Sequence, residues 1–302
     1  MKKNNKALVT LAIGERYVDE FESQVSRSWR AYADKHGYDI IVLTDVIDKS
    51  CDLSRKSLHW QKLLIGLVPG VSDYDHVVWM DTDILINART APCVVSAVEQ
   101  TGSDKIAVAD YNSTLSPLED TAERYYILDQ LFRKNSTKID VPPLHMEDVY
   151  KNLGYLKPVD KYINTGMFVF QPKRHNDFLS QCYAKYEADS ADGSFENIPY
   201  SYELQAEDMA VFIDERFNMA WSKVVATHYP FLYLREFVME NPEVAVKCVN
   251  VYYHNAWFCH FAGHGQHPIN KGLMEEVQQS ANHVIEGLAP DLWKSLDLNF
   301  SD

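Results

Sequence analysis

At 302 residues the chain can bury a substantial core, and with 46% apolar and 24% charged residues it has the make-up of a folded protein, not a disordered one. A net charge of −14 argues against nonspecific nucleic-acid binding or docking on an anionic membrane, because phosphate contacts need lysine and arginine. Five widely spaced cysteines without a C-x-x-C pair point to reduced thiols, neither a disulfide framework nor a zinc knuckle.

Residues 7–13 form an apolar, β-branched run closed by Gly14, which predicts a buried first strand. The run is too short to span a bilayer and lacks a clear cleavage site, so with no transmembrane-length segment elsewhere the expectation is a cytoplasmic protein. The sequons at Asn112, Asn135 and Asn299 are then chance matches. Helical spacing of Val18, Phe21, Val25, Trp29 and Tyr32 follows, stopped by Gly37, and residues 38–43 read as a second strand. Strand, crossover helix, strand implies a parallel pair, and such sheets bind ligands at the carboxyl ends of their strands. The absence of G-x-G-x-x-G and of a P-loop disfavours a dinucleotide fold and Walker-type phosphoryl transfer.

A helix is predicted over 57–67, then a short strand over 77–80 that stops at Asp81-Thr82-Asp83. Strand side chains alternate faces, so the two carboxylates at i, i+2 point the same way and can converge on one cation. The alternative is an acidic turn after a strand. A helix over 91–100 and a strand over 106–109 ending in Asp110 repeat the pattern. Residues 111–160 lose the β-α rhythm and read as an excursion; 163–170 resumes as a strand, followed by helices over 176–187 and 204–215. Residues 252–263 are rich in aromatics and histidine, and 269 onward reads as helical.

Two carboxylates hold a divalent ion loosely, and His260, followed by Phe261-Ala262-Gly263, offers a third ligand. Two carboxylates and an imidazole suit Mn²⁺ better than Mg²⁺ or Ca²⁺, since imidazole is the softer ligand. Taken alone, His260 can equally be a hydrogen-bonded core histidine.

Thr10-Leu11-Ala12, Tyr17, Trp60-Gln61-Lys62-Leu63, Trp79-Met80-Asp81-Thr82-Asp83, Asn164-Thr165-Gly166 through Gln171-Pro172, and His260 to Gly263 occur in this order along the chain. In order and approximate spacing, over roughly residues 7–265, this resembles the glycogenin-type retaining glycosyltransferases of the GT-A fold and the related yeast-Golgi-type galactosyl- and mannosyltransferases. The resemblance implies an α/β fold with a mainly parallel, twisted central sheet flanked by helices. One domain would cover 1–265, with a nucleotide-binding half over about 7–110, the excursion over 111–160, an acceptor half over 161–265 and a helical tail over 266–302. It implies transfer of a hexose from a nucleotide sugar, a uridine diphosphate sugar, to a hydroxyl of a glycan, lipid-linked or protein acceptor, with retention of anomeric configuration.

By the same resemblance Asp81, Asp83 and His260 bind manganese, with magnesium as the substitute, against the donor diphosphate. Thr82 and Gly263 complete that wall, and Lys62 lies near the departing phosphate. Thr10, Ala12 and Tyr17 match positions that hold the base, Tyr17 by stacking; Asn164, Thr165 and Gly166 match an element under the transferred sugar, and Asp110 an acid near sugar or acceptor.

The chain departs from the pattern twice. Where the relatives carry an Asp-Gln pair opening a helix beside the sugar, this sequence reads Gln205-Ala206-Glu207-Asp208, which makes Gln205 and Asp208 catalytic candidates, Asp208 as a nucleophile towards the anomeric carbon. After the histidine the relatives' Lys-Pro-Trp is absent, and either His264 or Lys271 is expected to supply the phosphate contact or the loop closes differently. Two other classes compete: a metal-dependent sugar nucleotidyltransferase, and a non-catalytic glycan- or protein-binding module on the same fold.

Overall fold

The computed structural model describes residues 4–111, 145–191 and 193–262. Among these the strands are β1 (Lys6–Leu11), β2 (Asp39–Leu43), β3 (His76–Met80), β4 (Ile84–Ile86), β5 (Ile106–Ala109), β6 (Met167–Phe170), β7 (Ala210–Ile213), β8 (Met219–Ala220) and β9 (Phe258–His260). The helices are α1 (Glu15–Gln24), α2 (Ser26–His36), α3 (Val94–Gln100), α4 (Met146–Asn152), α5 (Pro172–Lys185), α6 (Asn197–Ala206), α7 (Trp221–His228), α8 (Arg235–Glu240) and α9 (Pro242–Asn255). Leu58–Leu67 winds as a 3-10 helix.

Six strands form the central sheet in the order β2-β1-β3-β6-β5-β7. All run parallel except β6, which is antiparallel to both its neighbours. Side-chain alternation splits the core into two layers. Leu8, Val78 and Met80 pack with Trp29 and Tyr32 of α2 on one face, while Val9, Val77, Trp79 and Val108 pack with Trp60 and Leu63 on the other. Covering both faces is what the near-continuous apolar strands require.

A second, three-stranded sheet, β4-β9-β8, sits beside the first. Antiparallel pairing of β4 and β9 sets Ile84 opposite His260, and the Phe261 N–H donates to the Asp83 carbonyl at 3.0 Å. Trp29 steadies this sheet, its buried indole N–H donating to the Ile84 carbonyl at 2.8 Å. Segments far apart in sequence, the Asp81–Ile84 turn and the end of β9, are thereby joined at the carboxyl end of β3.

Several expectations are corrected. The helix predicted through Val25 is two helices, broken where Val25 adopts φ −124°. The segment predicted as an α-helix over 57–67 is 3-10, and the strand predicted from 163 begins only at Met167, because 163–166 is irregular backbone that serves the site. Most consequentially, the predicted helix over 204–215 does not exist as such: α6 ends at Ala206 and β7 runs from Ala210 to Ile213, paired to β5. A four-residue apolar β-branched run beside an open sheet edge gains more from ladder bonds than from continuing a helix. The helical tail and most of the 111–160 excursion lie outside the described residues; within the excursion, α4 is helical. Among the described residues no helix is long and apolar enough to cross a membrane.

Candidate active site and metal centre

At the carboxyl edge of the sheet, β3 delivers Asp81 and Asp83 and β9 delivers His260. One ligand atom from each lies within 4.8 Å of the others. His260 Nε2 is 3.3 Å from an Asp83 oxygen and 3.8 Å from an Asp81 oxygen, and the imidazole is 3% exposed. The other ring nitrogen, Nδ1, is 2.9 Å from Asn218 Oδ1. That amide's orientation is fixed, because Asn218 Nδ2 donates to the Asn164 carbonyl at 3.1 Å and to Asn164 Oδ1 at 2.9 Å. Asn218 therefore accepts from His260, so in the neutral ring Nδ1 carries the proton and the Nε2 lone pair faces the two carboxylates. Burial alone would lower the His260 pKa, but Asp83 and Asp81 outweigh it and raise it. The donor set fits a divalent ion: two hard oxygens, one imidazole in the ligating tautomer, and a fixed outer partner.

Gly166 makes this convergence sterically feasible. A Cβ there would lie 2.2 Å from His260 Cε1 and 3.0 Å from Asn164 Oδ1. The Gly166 carbonyl accepts from the Asp81 N–H at 2.8 Å and its N–H donates to Asn164 Oδ1 at 3.0 Å, so the Asn164-Thr165-Gly166 turn braces both metal-side strands.

Lys62 is enclosed beneath Asp81. Its ammonium lies 3.1 Å from Asp81 Oδ1, 2.8 Å from Glu196 Oε1 and 3.4 Å from the Thr165 carbonyl. Burial would lower its pKa, but the two carboxylates more than reverse this. With three acceptors for its three protons, Lys62 acts on this wall through Asp81, not as a free charge. Trp79 Nε1 also donates to Asp81 Oδ1, at 3.1 Å.

Glu196 was not foreseen. It is buried, immediately precedes α6, and its Oε1 accepts from Lys62 and from the Thr165 hydroxyl at 2.7 Å, while Oε2 has no hydrogen-bond partner. Its carboxyl would be raised by burial, yet Lys62 above all holds it below the ordinary value. Asn197 follows, its Oδ1 accepting from the Thr165 N–H at 2.9 Å. An acid and an amide thus open a helix beside the Asn164-Thr165-Gly166 turn. The signal available in sequence was Glu196-Asn197 followed by Pro199, since proline in a first turn costs no helix hydrogen bond. It was obscured because α6 is buried almost all round, which erases helical periodicity.

Asp208 and Gln205, by contrast, are not brought to this edge. Asp208 takes φ +53° in the turn before β7, at the amino end of that strand, so the length of the sheet separates it from Asp81. Its side chain is 88% exposed and pairs with Lys105 at 2.5 Å, and Lys105 itself precedes the amino end of β5. Gln205 is a strut: its amide donates to the Lys161 carbonyl at 2.8 Å and accepts from the Lys161 N–H at 3.0 Å. Asp208→Ala is expected to leave turnover within about twofold of wild type, as for a surface substitution away from the site. A loss near that of a metal-ligand variant would contradict this placement.

Thr10, the next-to-last residue of β1, is buried, with a hydroxyl that has no partner, and Ala12 is buried. Tyr17, on α1, is 49% exposed. Thr82 sits between the carboxylates in the turn before β4. Asp110 ends β5 and, with Asp214, Tyr229, Tyr252 and Asn255, lines a cavity of about 790 Å³ at the same sheet edge. Gly263, His264 and Lys271 lie outside the described residues.

No family model and no curated protein sequence matches the chain. Solved structures do. The bifunctional glycosyltransferase WbbM, in its apo structure, superposes over 92% of this chain with a TM-score of 0.51 at 14% identity, this chain spanning 50% of its length. The fold is the GT-A type. A glycosyltransferase involved in glycosylation of the major capsid of PBCV-1 matches over 88% of this chain and 98% of its own, at 11% identity and TM-score 0.46. The galactosyltransferase LgtC, in complex with donor and acceptor sugar analogs, matches over 90% of this chain and 95% of its own, at 11% identity and TM-score 0.47.

Proposed function

We propose that this protein is a divalent-metal-dependent glycosyltransferase that moves a hexose from a uridine diphosphate sugar to a hydroxyl, with retention of configuration. The observation that carries the reading is the convergence of Asp81, Asp83 and a His260 held in the ligating tautomer at the carboxyl edge of a GT-A sheet. Asp81, Asp83 and His260 would hold manganese. When bound there, the cation neutralises charge developing on the departing nucleoside diphosphate. The residues of this chain do the rest. Lys62 fixes the rotamer of Asp81 and excludes water beneath it. The orphan Thr10 hydroxyl, near the carboxyl end of β1, would meet a polar edge of the base, and the exposed Tyr17 ring would stack on it. Asn197 and Glu196 take the place given in sequence to Gln205 and Asp208: the acid and amide beside the transferred sugar. Retention rests on the family resemblance.

The test is a screen of nucleotide sugars with Mn²⁺, read as nucleoside diphosphate release and repeated on Asp83→Ala. Wild type is expected to turn over a uridine diphosphate hexose, and the variant to lose about 100-fold or more, the scale of removing one fixed charge-stabilising group. Pyrophosphate release would identify a nucleotidyltransferase instead. Absence of turnover with every donor would favour a binding module.

A further inference from the structure

The sheet edge that carries the metal wall continues past it. Met80 of β3 pairs with Met167 of β6, Val108 of β5 with Phe168, and Ala109 of β5 with Ile213 of β7, so Asp81, Asp110 and Asp214, each one residue beyond its strand, stand level along one edge. Strands lie about 4.8 Å apart, so in the order β3-β6-β5-β7 Asp110 stands roughly 10 Å and Asp214 roughly 14 Å along the sheet from the strand end that carries Asp81. The Asn164-Thr165-Gly166 turn, leading into β6, lies between. From Asp110 onward the edge opens into the cavity of about 790 Å³, a size within the ~300–1,000 Å³ of ligand pockets. The cavity shares its wall with the metal centre. Met219 lines it and pairs with Cys259, while the next residue, Ala220, pairs with His260. Glu215 also lines it, and Asn218, at the end of the same Glu215–Asn218 3-10 turn, orients the His260 ring.

The lining decides what can enter. Phe212, Met219, Tyr229 and Tyr252 give the cavity an apolar side, and Tyr252 is fixed, its hydroxyl donating to the Met219 carbonyl and its ring packed on Trp221 with centroids 5.1 Å apart. Asp110, Asp214 and Glu215 give it an acidic side. Arg216 is the one arginine or lysine among the described lining residues, and it is committed: Nε and Nη2 donate to the two Asp214 oxygens at 2.9 and 2.6 Å, and the guanidinium lies 3.8 Å over the Trp257 ring. Lys223, behind Glu215, is buried and donates to the Tyr111 carbonyl at 2.7 Å. We infer that this cavity seats the acceptor, and that the acceptor is a neutral, hydroxyl-rich sugar and not an anionic one such as a pyrophosphate-linked lipid. Hydroxyls donate to carboxylates, and the apolar C–H face of a pyranose packs on aromatic rings. A phosphate would meet carboxylates with no cation to spare, and a wholly apolar group would bury them without donors. The inference rests on the sugar-transfer reading: the diphosphate at the end of β3, the transferred hexose at the 164–166 turn and the receiving hydroxyl at Asp110 then follow one another along a single edge.

The experiment is saturation-transfer-difference NMR on the full chain, in the presence of uridine diphosphate and Mn²⁺, with methyl gluco-, galacto- and mannopyranosides and with the matching hexose 6-phosphates. Calorimetry on the same samples follows uridine diphosphate itself. Wild type is expected to bind at least one methyl pyranoside, and its 6-phosphate counterpart about tenfold or more weakly, the scale of a few uncompensated like-charge contacts. Val251 lines the cavity from α9 and is 51% exposed, so Val251→Trp fills the space from a helix surface and is expected to weaken pyranoside binding about tenfold or more. Asp214→Asn keeps the side-chain oxygen that accepts from the Arg216 N–H and removes one charge, so the preference for the neutral sugar should narrow about fivefold, the scale of one charge pair in water at about 4 Å. Pyranoside binding that Val251→Trp leaves intact, no pyranoside bound by wild type, 6-phosphates bound as tightly as the neutral sugars, or a preference unchanged in Asp214→Asn overturns the inference. Pyranoside binding blocked by Val251→Trp in a chain that binds no uridine diphosphate would sustain the cavity and sink the transferase reading. Uridine diphosphate bound with Mn²⁺ but no pyranoside would do the reverse.

Discussion

Gly166→Ala is expected to weaken manganese binding by about 10–100-fold, as disturbing the group that orients a metal histidine commonly does, and to destabilise the fold by roughly 1–3 kcal/mol through overpacking. The added methyl would sit 2.2 Å from His260 Cε1, too close for any heavy-atom contact. The imidazole has nowhere to go, since it is buried at 2% exposure and its Nδ1 is tied to Asn218, whose own amide is tied to Asn164. Rotating the ring would break that chain and turn Nε2 away from Asp81 and Asp83. Isothermal titration with Mn²⁺ and a denaturant melt check both parts. Unchanged manganese affinity in a folded Gly166→Ala protein would mean that His260 is not a ligand.

Much of this site was legible from strand ends. Asp81 and Asp83 stop an apolar run at i, i+2, and a strand's two-residue period allows only one outcome for their direction. Asp110 was legible for the same reason, and His260 because it closes a short aromatic segment before a glycine. Asn218 was not. Its function is to orient another side chain, and an asparagine after Phe217 carries no periodicity or spacing that would single it out. The placement of Gln205 and Asp208 away from the metal edge has a related cause. Matching an acid–amide pair by nearness to an apolar run favoured the strand β7, because Met209 to Ile213 looks like the continuation of a helix when its partner β5 is unknown. The helix start at Asn197 is disguised by burial, with the polar Ser201 and Glu203 enclosed beside Tyr200 and Leu204. Tertiary pairing decided both, and no local window contains it.

The same burial makes Lys62 a charge on which a buried carboxylate depends. Lys62→Met is expected to cost about 3–5 kcal/mol, because it leaves Glu196 as an uncompensated buried carboxylate. Lys62→Met with Glu196→Gln is expected to recover most of that loss, since the paired charges themselves contribute little once their desolvation is counted. The pH dependence separates this from a packing defect. In wild type Lys62 holds the Glu196 carboxyl below its ordinary value of 4.5, so its contribution is present above that pH and is lost as pH falls through the folded value. In Lys62→Met the largest opposing influence is gone, leaving only His59 and the Thr165 hydroxyl against burial, so the same carboxyl is expected to rise, the folded state to bind the extra proton and stability to decline as pH rises from 4.5. The difference between the two stability–pH profiles should therefore widen with pH on the acid side and flatten once the variant's Glu196 has ionised. Glu196→Gln in the variant background should abolish that widening. A pH-independent difference, or a double variant no more stable than Lys62→Met, would show that Lys62 stabilises the fold by filling space and not by countering Glu196.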